Sequence, residues 1–193
     1  MKHIFLTIAF LSTPLLAEEA SHPAPAAVKS LPDGSIYTLD STWSDQDGKP
    51  LKWSQSVGTP RVIALGYATC KGICPRIIAD MQRIEKEIDP KSKTRFTFIT
   101  LDPKNDKQAE LKALSERSVL SARWDVLRGE EDDLLEMAVT LGVRFDRLPN
   151  GIDFAHSYLI ATVGPDGKIL HKWTDSKEGP EPSVKVLKAL PDH

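Results

Sequence analysis

The sequence predicts an α/β fold. Strand-length apolar runs alternate with segments of helical periodicity, and two Asp-Gly turn signals flank short extended stretches. With 193 residues and 40% hydrophobic content, the chain is sized for one globular domain plus a leader.

Asp47-Gly48 lies between Ser35–Leu39 and Pro50–Trp53 and predicts an opening β-hairpin. Arg61–Tyr67 is a continuous apolar run, as in a strand buried on both faces. Pro75 then opens a helix with Ile77, Ile78, Met81, Ile84 and Ile88 on one face. Arg95–Leu101 predicts the next strand, and Asp106–Arg117 a helix with Ala109, Leu111 and Leu114 at helical spacing. A short strand at Trp124–Leu127 precedes a helix over Glu130–Leu141. The acidic run Glu130–Asp133 sits in that helix's first turn, where it complements the positive end of the helix dipole. Tyr158–Val163 and Lys168–Trp173 flank Pro165-Asp166-Gly167, a second hairpin signal. A last helix is expected over Pro182–Leu190.

The two ends carry different information. Met1-Lys2-His3 leads into an apolar stretch from Ile4 to Leu16, broken by Thr7, Ser12 and Pro14 and followed by Ala17-Glu18-Glu19. This pattern predicts a signal peptide over residues 1–17, since a membrane-spanning helix needs roughly 20 apolar residues. A retained membrane anchor is the alternative. Residues 18–34 show no helical or strand period and are expected to form a flexible lead-in to a domain over 35–193. The expected compartment is the periplasm or another exported location, and a monomer is the default state.

The charge balance narrows the function. Twenty-five Lys and Arg against 27 Asp and Glu give a net charge of −2, with no basic excess to grip a phosphate backbone. Neither a phosphate-cradling glycine loop nor a Gly-x-Ser-x-Gly elbow is present, and no small-molecule substrate is expected. The two cysteines are too few for a four-cysteine zinc site.

Cys70 and Cys74 stand in Gly66-Tyr-Ala-Thr-Cys-Lys-Gly-Ile-Cys-Pro75, where the first buried strand gives way to its helix. In a helical turn, residues four apart rise by about 6 Å, which suits a disulfide or two thiolates on one metal. Both outcomes are open. A disulfide closing so short a loop removes little chain entropy, and the end of a parallel strand is where α/β folds place their sites. Unpaired N–H groups at the helix start favour thiolate. Lys71 and Arg76 flank the pair and either stabilise thiolate, steer an acidic partner, or are simply solvated.

Cys-x-x-x-Cys-Pro at Cys70–Pro75, Asp-Pro-x-x-Asp at Asp102–Asp106 and Asp-Phe-Ala-His-Ser at Asp153–Ser157 occur in one order, after the entry Tyr37–Gly48. Together they resemble the Sco/SenC family over Ser35–Leu190. The resemblance implies a thioredoxin-like fold with an added N-terminal β-hairpin, and copper held by Cys70, Cys74 and His156. It further implies a metallochaperone serving the CuA-bearing subunit of a terminal oxidase, or another exported cuproenzyme. Two thiolates and one imidazole suit Cu(I) or a tetragonal Cu(II) site. Asp102 and Asp106, as hard carboxylates, are expected to shape the loop, with Asp106 capping the next helix. His171, inside a later strand, is read as a surface residue.

A thiol–disulfide oxidoreductase using Cys70 and Cys74 is the competing function. Such enzymes carry Cys-x-x-Cys and a proline before the strand facing it. This chain has one more residue between its cysteines and His156-Ser157 at the proline's place. A peroxidase fits less well, because Thr69 adjoins Cys70 directly.

Overall fold

The computed structural model describes residues 31–191. The expected signal peptide and residues 18–30 of the lead-in lie outside the described residues. Leu31, assigned to that lead-in, packs against the core.

The domain opens differently from expectation. Ser35–Leu39 is not a strand, since Ile36–Thr38 forms a 3₁₀ turn that buries Ile36 and Tyr37. Its polar groups are taken by a distant turn: Ser35 Oγ donates to Asp166 O at 2.7 Å and Ile36 N–H to Gly167 O at 3.0 Å. The hairpin is made instead by β1 (Thr42–Ser44) and β2 (Pro50–Lys52), paired antiparallel. Asp45 Oδ1 accepts from the N–H groups of Asp47 and Lys49, and Gly48 takes φ +80°, which a glycine adopts without a Cβ clash.

With two short strands, Phe145–Arg147 and Phe154–His156, as additions, the other predicted elements follow in order. They are β3 (Arg61–Gly66), α1 (Cys74–Glu87), β4 (Arg95–Thr100), α2 (Gln108–Arg117), β5 (Trp124–Leu127) and α3 (Glu131–Leu141). After α3 come β6 (Phe145–Arg147), β7 (Phe154–His156), β8 (Ile160–Val163), β9 (Ile169–Trp173) and α4 (Glu181–Lys188). The central sheet has the order β5-β4-β3-β8-β9. β3, β4 and β5 run parallel, while β8 is antiparallel to β3 and β9 to β8. This is the thioredoxin-like arrangement with an added hairpin. Every residue of β3 is buried, as the apolar run Val62–Gly66 requires, and Arg61 is buried with it at the strand's start. Among the described residues no helix is long and apolar enough to cross a membrane.

β6 and β7 form a separate two-stranded ribbon that the sequence does not announce. Glu131, Asp132 and Asp133 occupy the first turn of α3, as expected. His171 departs from its expected place. It is partly buried, its Nδ1 lies 3.0 Å from Ser183 Oγ, and it fastens β9 to α4.

Arg61, at the start of β3, is buried with its charge answered across the sheet. Its Nη1 lies 2.7 Å from Asp125 Oδ2 on β5, and Arg95 Nε donates to the same oxygen at 2.9 Å. The Arg61 guanidinium also donates to Thr97 and Ser56 hydroxyls.

Candidate metal centre

β3 ends at Gly66, and the chain turns through Tyr67–Ile73 before α1 begins at Cys74. Cys70 lies in that turn, where its N–H donates to Tyr67 O at 3.2 Å. Cys74 is the first helical residue, with Pro75 behind it, and only 2% of it is exposed. Asp106 accepts from Ala68 N–H at 2.8 Å and from the Thr100 hydroxyl. It therefore fastens the cysteine loop to the end of β4, whereas Lys107 takes the N-cap position of α2. The expected cap role gives way because the buried Ala68 N–H needs an acceptor more than an exposed helix start does. Arg117 supplies a second tie, donating to Ala68 O.

The third group arrives on the β6–β7 ribbon. His156 closes β7 and pairs in register with Phe145. Its Nε2 stands 3.5 Å from Cys74 Sγ, and its Nδ1 lies 3.1 Å from Ser157 O. A carbonyl only accepts, so Nδ1 carries the proton and Nε2 turns a lone pair toward the sulfur. The two sulfurs and an imidazole nitrogen all lie within 4.8 Å of one another. Both cysteines are free thiols. The sequence-predicted trio of Cys70, Cys74 and His156 is thus brought together, and its donor set suits a soft metal ion.

The two thiols are not equivalent. Burial raises the Cys74 thiol well above its ordinary value, and hydrogen bonding with Cys70 raises it further. The thiolate-favouring effect expected of the helix start is overridden there. Burial also opposes ionisation of Cys70, but hydrogen bonds from the Cys74 side chain and backbone, Gly72 N–H and Tyr67 outweigh it and hold that thiol below its ordinary value. Burial lowers the His156 imidazole, which keeps it neutral and able to ligate.

Three supporting features were not singled out from the sequence. Arg147 on β6 holds Asp102 with an Nη2–Oδ1 distance of 2.6 Å, and its guanidinium lies 4.3 Å from the centre of the Phe154 ring. The ribbon bearing His156 is thereby tied to the loop after β4. Burial opposes ionisation of Asp102, yet hydrogen bonds from Arg147 and Asn105 bring its carboxyl below the usual range. Tyr67 packs against Phe154 with ring centres 5.1 Å apart and donates to Asp153 Oδ1 at 3.0 Å. Arg76 does not serve the sulfurs, since its Nε is held by Asp80 Oδ2 at 2.6 Å; Lys71 is exposed. A cleft of about 750 Å³ opens over the site, lined by Tyr67, Cys70, Leu148, Ile152, Phe154 and His156.

The third feature is Gly66. A Cβ there would stand 2.8 Å from Cys74 Sγ and 2.5 Å from Phe98 Cζ, so the sulfur occupies the space a side chain would fill. Gly66→Ala is expected to lower unfolding free energy by about 1–3 kcal/mol through overpacking. It should also speed alkylation of Cys74 in the folded protein, as the sulfur is pushed out. Denaturant melts together with mass-resolved thiol labelling check this, and unchanged values for both would contradict the packing described.

A profile of the SCO1/SenC family matches residues 34–191. Among curated relatives, the "SCO1 protein homolog" of Bacillus subtilis is 29% identical over 143 residues, covering 72% of this chain and 74% of that protein. The structure titled "Identification of a disulfide switch in BsSco, a member of the Sco family of cytochrome c oxidase assembly proteins" is similar with a TM-score of 0.67 and 27% identity, covering 77% of this chain and 89% of that one. The copper-bound structure of Bradyrhizobium japonicum ScoI has a TM-score of 0.66 and 23% identity, covering 77% and 95%. That last likeness shows the fold. Family profile, curated relative and fold agree over the domain that holds the two cysteines and the histidine, and the chain belongs to the SCO1/SenC family.

Proposed function

We propose that this protein is an exported copper metallochaperone that carries one copper ion on Cys70, Cys74 and His156 and passes it to the CuA-bearing subunit of a respiratory oxidase or to another exported cuproenzyme. The observation that carries this reading is the convergence of two sulfurs and one imidazole nitrogen within 4.8 Å. Such a set satisfies Cu(I) with three soft donors, suits a tetragonal Cu(II) ion that takes a further donor from water or a partner, and leaves a closed structural zinc site one ligand short. Relatives support the choice of metal and of recipient: the ScoI structure contains copper, and BsSco is described as one of the cytochrome c oxidase assembly proteins. Export is supported by the apolar run Ile4–Leu16.

Bound copper is the cargo. Cys74 supplies a donor from a fixed helix start, and His156 supplies one from a ribbon held by side-chain contacts. Cys70 lies in the turn lining the open cleft, where a partner's thiolates can displace one ligand at a time. Two-electron oxidation of Cys70 and Cys74 to a disulfide would remove two of the three donors, so the redox state of the pair gates loading. The test mixes the copper-loaded, reduced protein with a metal-free CuA domain and follows the visible absorption of that centre. Stoichiometric appearance of the CuA spectrum supports delivery. A recipient that gains no copper while this protein keeps its own counts against it.

Arg147→Ala is expected to weaken copper affinity by roughly 10–100-fold, the usual cost of removing a group that orients a ligand. Competition against a copper chelator reads this, and an unchanged affinity would show that the ribbon needs no tie to Asp102.

The lowered Cys70 thiol beside a buried Cys74 is also the pattern of an attacking and a resolving cysteine. A thiol–disulfide oxidoreductase acting on a cuproenzyme's cysteines would use Cys70 as nucleophile, form a mixed disulfide, and release it by attack of Cys74. The chain's cysteines are then oxidised to a disulfide while the partner's are reduced. Rates of partner-disulfide reduction that match free dithiol, or that survive Cys70→Ser, would rule this out.

A further inference from the structure

Asp80 is a carboxylate at 1% exposure on α1, six residues beyond Cys74 and so about 9 Å along the same helix. Two of its partners, Arg76 and Arg83, come from its own helix. The third comes from across the domain: Tyr158 Oη donates to Asp80 Oδ2 at 3.0 Å. The Tyr158 ring is held edge-on to the buried Trp173, with centroids 5.9 Å apart. The residue is therefore pinned at both its ring and its hydroxyl.

Tyr158 stands two residues after His156, and the peptide group entering it contains the Ser157 carbonyl. That carbonyl takes the proton of His156 Nδ1 at 3.1 Å, which points Nε2 at Cys74 Sγ. The contacts close a ring: Cys74, His156, Ser157 O, Tyr158 and Asp80, with both ends on α1. We infer that Asp80, acting through Tyr158, is a positioning residue that sets the orientation and tautomer of His156 against the Cys74 sulfur. A carboxylate suits the task because it accepts from Tyr158 while two guanidiniums hold it in place. An outer hydrogen bond of this kind selects which ring nitrogen is free to bind a metal.

The inference rests on the copper reading for its purpose, and its test is read first in the metal-free protein. The ring nitrogens of His156 are observed by ¹⁵N NMR at mildly alkaline pH in the wild type, Tyr158→Phe, Asp80→Asn and Asp80→Ala. The wild type should show the Nδ1–H tautomer. Tyr158→Phe keeps the ring on Trp173 and deletes only the donor. It should give mixed tautomer signals and roughly 10–100-fold weaker copper binding with little change in melting. Asp80→Ala should give the same imidazole signals and the same loss of copper affinity, the double variant should be no worse in either than the single ones, and Asp80→Asn, which keeps an acceptor oxygen, should retain most of the wild-type tautomer and affinity. Lower melting temperatures with wild-type imidazole signals would reduce Asp80 to a structural role and overturn the inference. Altered tautomers in a chain whose wild type binds no copper would instead leave the positioning intact and remove the copper reading.

Discussion

Cys74→Ser is expected to abolish tight copper binding, with a loss of affinity beyond the roughly 10–100-fold of an outer-shell substitution. The sulfur is buried, it is the first side chain of α1, and it lies 3.5 Å from His156 Nε2. A hydroxyl placed there is a harder and shorter donor that a soft ion prefers less. It leaves a pair, Cys70 and His156, with no rigid element between them. Cys70→Ser should also weaken binding strongly, but its sulfur sits in a turn, so relaxation can recover part of the loss. Competition with a Cu(I) chelator under reducing conditions measures both. Equal, wild-type affinity for Cys74→Ser would mean that copper is held elsewhere.

Asp125→Ala is expected to cost about 3–5 kcal/mol of stability, the range for removing one partner of a buried ion pair. Arg61 is only 4% exposed, and without Asp125 it keeps two hydroxyls but no counter-charge. The wild-type pair also sets an acid limit. Burial would raise the Asp125 carboxyl, but Arg95 and Arg61 outweigh burial and hold it below the usual range. A carboxyl depressed on folding contributes stability that is complete above its unfolded value of about 3.9 and is lost as pH falls through the folded value. Asp106 has the opposite sign, because burial raises it and acidification relieves its cost. Chemical denaturation from neutral pH down to below about 4 should therefore show wild-type stability falling at the acid end. Asp125→Ala should begin lower and fall less over that interval. Parallel curves for the two proteins would show that Asp125 does not carry the acid dependence.

Most of the frame could be read from sequence because its elements are long enough to show a period. Arg61–Tyr67 is apolar at nearly every position and becomes the central strand; Ile77, Ile78, Met81 and Ile84 give α1 its buried face. The ribbon carrying His156 could not be read that way. Each strand has three residues, too few to establish alternation, and the ribbon is tied down by Arg147 reaching a carboxylate 45 residues earlier and by Phe154 packing on Tyr67. Ser35–Leu39 has a strand's composition, yet Ser35 and Ile36 bond to the β8–β9 turn, and the N–H groups of Tyr37, Thr38 and Leu39 bond within the segment. Within the site, the three donors were legible because their motifs mark them. Gly66, Arg147 and the link from Asp80 to Tyr158 were not, since each acts on a residue that only folding brings near.

If Cys70, Cys74 and His156 hold the cargo, one copper ion has two sulfurs and one imidazole nitrogen around it. X-ray absorption at the copper edge, on reduced protein loaded with one equivalent, reads those neighbours. Two sulfur neighbours and one imidazole nitrogen, with the nitrogen contribution lost in His156→Ala, is the result predicted. A shell of nitrogen and oxygen alone, or one indifferent to His156, would contradict it.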